Sequence, residues 1–145
     1  MDEQLSLDRF GLRPKTKHLP EIRSLLRGRA AREQRQQGSG DTELMRLCSV
    51  QLFHSGNRED ILHIWRAKTS SWDANSSIEI QLLCGRGLQE TVRFLAEHDD
   101  PGAAEALQRI RECEEAGAFD DFTVLGYRQL MRDYYEGGAS FAGPA

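Results

Sequence analysis

A chain of 145 residues with 39% hydrophobic and 29% charged content is sized for one globular domain with its own core, not for a fibrous or disordered polymer. No apolar run reaches the ~18 residues of a membrane span. The start MDEQLSLDRF lacks the apolar centre of a secretory signal, so a cytoplasmic protein is expected.

The net charge of −4 conceals an asymmetry. Residues 1–40 carry nine Arg/Lys against five Asp/Glu, and residues 41–145 carry ten against eighteen. The acidic body would repel a phosphate backbone, which argues against nucleic acid as a partner except through the basic leading segment. Opposite charge in the two parts favours their attraction, within one chain or between chains. Cys48, Cys84 and Cys113 are an odd number without close spacing, which makes a poor disulfide framework. They read as small buried hydrophobes.

In chain order, residues 1–18 show little periodicity. Leu5, Leu7, Phe10 and Leu12 are available to dock, and Pro14 interrupts any helix begun before it. Pro20 and Glu21 suit the start of a helix carrying Ile22, Leu25, Leu26 and Ala30 on one side and Arg23, Arg27, Arg29, Arg32 and Arg35 on the other. Gly28 weakens its middle. GSGD at 38–41 reads as a flexible hinge, with Asp41 or Thr42 capping the next helix. Residues 1–41 are thus expected to form a basic arm or helix and hinge, residues 42–137 a packed helical domain, and residues 138–145 a flexible tail.

Within the body, Leu44, Leu47, Cys48 and Leu52 recur at helical intervals up to Gly56, and Ile61, Ile64 and Trp65 do so in the next segment. Residues 77–82 alternate as a half-buried strand would, yet no second strand is available to pair with one. A helix from Asp73 with Ala74, Ile78 and Leu82 aligned, stopped by Gly85, is the preferred reading. Helices to Glu97, from Pro101 to Gly117 and from Val124 to Glu136 complete the chain. The fold expected is all-α, with about six or seven helices in an irregular antiparallel bundle or a short array of helical pairs.

The candidate chemistry is sparse. None of His18, His54, His63 and His98 lies close in sequence to another histidine or to a cysteine, so no metal or cofactor is expected. No nucleophile motif is present. Arg66, Asp73 and Glu79 supply the parts for an alternative reading, a small hydrolase or transferase with a carboxylate-containing cleft. Against it, Asp73 suits a helix cap and Glu79 suits an ion pair with Arg66 or Lys68.

Protein recognition accommodates more of the unusual residues. Arg66, Lys68, Trp72, Asp73, Asn75 and Glu79 crowd into one stretch, and aromatic and arginine side chains make effective interface anchors. Spacing places Trp65 in the core and lets Trp72 either seal a turn or stand outward. The sequence is accordingly read as a cytoplasmic interaction or regulatory module, in the manner of an inhibitor or immunity protein. Arg23, Arg27 and Arg32 of the arm provide a second contact set toward a protein partner or another copy of the chain. A purely structural or assembly role is the remaining reading.

Overall fold

Between Leu44 and Phe53 the helix Thr42–Ser55 is buried on every side except at Arg46. Leu44, Met45, Leu47, Cys48, Val50, Leu52 and Phe53 are enclosed, and so are Ser49 and Gln51. A helix without a solvated face must be wrapped by others, and that requirement organises the computed structural model, which describes residues 1–137. The expected tail, 138–145, lies outside the described residues.

The described residues form eight α-helices: α1 (Glu3–Phe10), α2 (Leu19–Arg35), α3 (Thr42–Ser55), α4 (Glu59–Lys68), α5 (Trp72–Ser77), α6 (Leu88–Glu97), α7 (Pro101–Glu115) and α8 (Val124–Arg132). Short 3₁₀ turns cover Thr16–His18 and Ile80–Leu83, and a π turn covers Asp133–Gly137. No strand occurs among the described residues. The protein is an irregular all-α bundle. It is not a linear array of helical pairs, in which each unit touches only its neighbours, because α1, α2, α4, α5 and the Ile80–Leu83 turn all meet α3. Among the described residues no helix is long and apolar enough to cross a membrane.

The helix ends obey local chemistry. Asp41 adopts a left-handed conformation (φ 67°) and its carboxylate accepts from the Leu44 amide at 3.2 Å. Ser71, Asp100 and Thr123 cap α5, α7 and α8 in the same way, the second followed by Pro101. At α4 the Asp60 amide donates to the backbone carbonyl of Asn57 at 3.1 Å. The helix count exceeds expectation partly through α1, which ends at Gly11 before Pro14 is reached. Ser6 and Phe10 face inward from it, and Gln51 of α3 donates to the Gly11 carbonyl at 2.9 Å and to Ser6 Oγ at 3.1 Å.

α2 packs on α3 and α4 through Leu19, Ile22 and Leu26. The segment after it is not the loose hinge that its composition suggests. Glu33 is wholly buried near the end of α2, and its carboxylate accepts from the amides of Gly38 (3.0 and 3.1 Å) and Gly40 (2.9 Å) and from the Ser71 hydroxyl (2.7 Å). Gly40 must be glycine on steric grounds, since a Cβ there would lie 2.5 Å from the Arg29 carbonyl oxygen and 2.6 Å from Glu33 Cβ. Gly-Ser-Gly is here a folded loop built around one carboxylate.

The preferred continuous helix from Asp73 to Leu82 is corrected. α5 stops at Ser77, Ile78 and Glu79 are extended, and the chain re-enters a 3₁₀ turn at Ile80. Lys68 explains the break. Its ammonium is buried and donates to the carbonyls of Asn75 (2.7 Å) and Ile78 (2.5 Å), groups that a continuing helix would have claimed for itself. Burial, followed by the charge of Arg109, pulls this ammonium below the ordinary lysine range. Cys48 and Cys84 are buried thiols, pushed up to about 12 by that burial. Gly85 lies where a Cβ would collide with the Phe53 carbonyl oxygen, so it permits a close approach of two backbones.

Burial pushes the Glu33 carboxyl up, but the Ser71 hydroxyl and the two glycine amides outweigh it, and the group rests below its ordinary value of 4.5. Asp60, opposed by burial and held by His63 and Arg23, likewise rests below 3.8. A depressed folded-state value gives stability that is complete above the unfolded value and is lost as pH falls through the folded one. Unfolding free energy, followed by urea titration from neutral pH to about pH 3, is expected to fall most steeply below about pH 4.5, and Glu33→Gln to flatten that slope. Glu33→Ala is expected to cost about 2–4 kcal/mol, because it strands the three donors that point at the carboxylate.

Candidate functional site

Trp72 is the most conspicuous product of this arrangement. It opens α5 and is 75% exposed, whereas Trp65 of α4 is 7% exposed and belongs to the core. The exposed indole is not loosely carried. Ser71, immediately before it, donates its hydroxyl to buried Glu33 and accepts the Ala74 amide at 3.0 Å. The side-chain oxygen of Gln37 accepts from the amides of Trp72 (3.1 Å) and Asp73 (3.3 Å). Two of the orphan donors at the helix start are thus satisfied from the loop after α2. Inward, Ala74 is fully buried, and the Lys68 ammonium holds the far end. α5 is short, but both of its ends are fastened.

The other residues anticipated at this face divide between surface and interior. Asp73 is half-buried and Asn75 is exposed, so both share the surface with Trp72. Lys68 is interior and occupied with carbonyl oxygens, which removes it from any contact set. Arg66 is exposed and pairs with Asp100 at 2.7 Å, tying α4 to the start of α7. Glu79 turns away to Arg46 of α3, with N–O distances of 2.7 and 3.2 Å, and accepts the Tyr127 hydroxyl at 3.0 Å. The expected pairing of Glu79 with Arg66 or Lys68 is therefore replaced, and Arg66 and Glu79 are taken up by separate partners.

The arginines of α2 divide as well. Arg23 makes two bonds to Asp60, at 2.7 and 2.9 Å, and a third to Glu59 at 3.0 Å; only 18% of its side chain is exposed. It fastens α2 to α4. Arg27 and Arg32 are exposed and make no ion pair among the described residues.

Arg46 is the residue that sequence reasoning missed. Besides Glu79, it donates to the Tyr135 hydroxyl at 2.7 Å and stacks on the rings of Tyr134 and Tyr135, 4.6 and 5.4 Å from their centroids. Burial opposes its charge, yet the bonds to Glu79 and the interactions with Tyr135 raise its affinity for the proton. It also lines a cleft of about 270 Å³ with Glu3, Thr42, Glu43, Ser77 and Tyr134. Burial, followed by the repulsion of Glu43 and Asp41, raises the Glu3 carboxyl there. The available signal is a lone cation in the otherwise apolar run LMRLC, and a carboxylate in IEI.

A second electrostatic feature lies at the end of α7. Glu112, Glu114 and Glu115 occupy its last turns, and Asp120 and Asp121 come just after, all exposed. Arg109 pairs with Glu112 at 3.5 Å and Arg111 lies between them, so the five carboxylates outnumber the two cations here and this end of α7 carries net negative charge, against the helix dipole.

Two substitutions separate the scaffold from the face it presents. Arg46→Ala strands Glu79 and the Tyr135 hydroxyl, and is expected to cost about 2–4 kcal/mol with hydrogen exchange in α8 accelerated ahead of α3. Trp72→Ala removes a side chain that buries little, and is expected to change unfolding free energy by less than about 0.5 kcal/mol. No family model, no curated protein and no solved structure matches this chain, so its function is read from its own residues.

Proposed function

We propose that this chain is a cytoplasmic protein-recognition module and that Trp72, with Asp73 and Asn75 beside it, forms its docking face. The observation that carries this reading is the contrast between the exposure of the indole and the rigidity of its mount. A tryptophan on a fixed backbone is a strong anchor, because it offers a large apolar area and one N–H donor on a mount that does not have to be ordered on binding. The buried Glu33–Ser71 bond and the Gln37 cap supply that fixation at the N-terminus of α5.

The carboxylates at the end of α7 suit a partner of basic character, which they would attract at a distance and orient before contact. An inhibitor or immunity-type role, in which a stable acidic domain covers a basic protein, is the form that fits both features. The alternative cleft chemistry is less well supported, because Arg66 and Glu79 each neutralise a structural partner and so are not free to work together on a substrate.

The test uses the two tryptophans against each other. In a Trp65→Phe background the emission comes from Trp72 alone, and addition of the captured partner is expected to shift it to the blue and shield it from acrylamide. Trp72→Ala is expected to lower retention of that partner on an affinity column by ~30-fold or more while leaving the circular dichroism unchanged. Equal retention by Trp72→Ala and the parent chain would remove α5 as the docking face.

A further inference from the structure

α2 contains a glycine that its own fold does not use. Gly28 lies inside a 17-residue helix, exposed, and a Cβ built there meets no atom within 4 Å. Glycine in an exposed helix interior is disfavoured against almost any other residue, so nothing within one molecule accounts for it. Gly28 contributes to an open groove of about 400 Å³ that Met1, Glu21, Ser24, Leu25, Arg29 and Arg32 complete. Leu25 is only partly covered there. Positions 21, 25, 28 and 32 succeed one another at steps of four, three and four, the spacing of a straight seam along a helix.

That seam is its own complement when reversed. A second α2 laid antiparallel, with a two-fold axis passing between Leu26 and Arg27, sets Leu25 over Gly28 of the second copy and Glu21 over Arg32 of the second copy. Symmetry supplies both contacts twice. The leucine then fills the space left by the missing side chain, and the helix dipoles oppose each other. Arg32 has no ion pair among the described residues. Glu21 already receives Arg9 at 2.8 Å, but its side chain is 45% exposed and each carboxylate oxygen retains a free lone pair for a second guanidinium.

We infer that α2 is a self-association face, on which two copies of this chain pair antiparallel along the Glu21–Arg32 seam. One helix from each copy makes a small interface, so the dimer forms and dissociates with concentration. It uses a different surface from α5 and does not depend on the recognition reading.

Sedimentation of the full chain over a range of concentrations tests this. The parent chain is expected to pass from monomer to dimer mass as concentration rises. Gly28→Gln, which adds a good helix former in open space, is expected to stay monomeric throughout while its thermal midpoint in dilute solution rises. Glu21→Arg and Arg32→Glu are each expected to be monomeric alone. When mixed they are expected to form a dimer containing one of each, because one variant presents two guanidinium groups on the seam and the other two carboxylates. A parent chain that remains monomeric at every concentration would overturn the inference. So would a dimer that survives Gly28→Gln, or charge variants that fail to combine when mixed.

Discussion

One buried carboxylate sets the geometry on which the candidate face depends. Glu33 has no access to solvent, and its charge is tolerated because two backbone amides and a hydroxyl point at it. It thereby joins three places: the end of α2, the Gly-Ser-Gly loop and the residue that caps α5. A single anion decides the path of the loop and the origin of the next exposed helix. Without it the loop would have the freedom that its composition implies, and the indole would be carried on a mobile turn.

A second polar centre, on α3, works in the same manner. Arg46 draws Glu79 outward while Lys68 draws the carbonyls of Asn75 and Ile78 inward, and between them the chain cannot remain helical. The same guanidinium then receives the C-terminal elements through Tyr134 and Tyr135. α8 has one buried residue, Met131, with Val124 and Tyr127 partly covered against the core, and the Arg46 bonds fasten the turn that follows it. The break in the helix and the seating of the C-terminal segment are one interaction seen from two ends.

The apolar elements are legible in the sequence, because burial repeats with the helical period. α3 and α4 emerge from the spacing of leucine, isoleucine and tryptophan, the start of α7 from Pro101, and the cap at Asp41 from residue type. Long-range pairing of charge is not legible in that way. Spacing alone puts Arg23 in a solvated basic stripe, and only the fold brings Asp60, 37 positions away, against it. Proximity along the chain offers Glu79 the cations of α4, whereas its partner lies 33 residues earlier. Periodicity carries information on which side of a helix is apolar. It carries none on which distant charge a buried ion will meet, and at 77–82 such charges decide the backbone.

Gln37 joins the end of α2 to the start of α5 through its side-chain oxygen, so the exposed indole stands at one end of the long helix. In an antiparallel pair of α2 helices the two indoles would stand near opposite ends of the seam, separated by about 30 Å along the helix axis at ~1.5 Å per residue. A partner with two sites at that spacing would be held by both arms at once, and the second contact would form at the high local concentration created by the first. A single-site affinity too weak to persist alone would then become lasting through avidity.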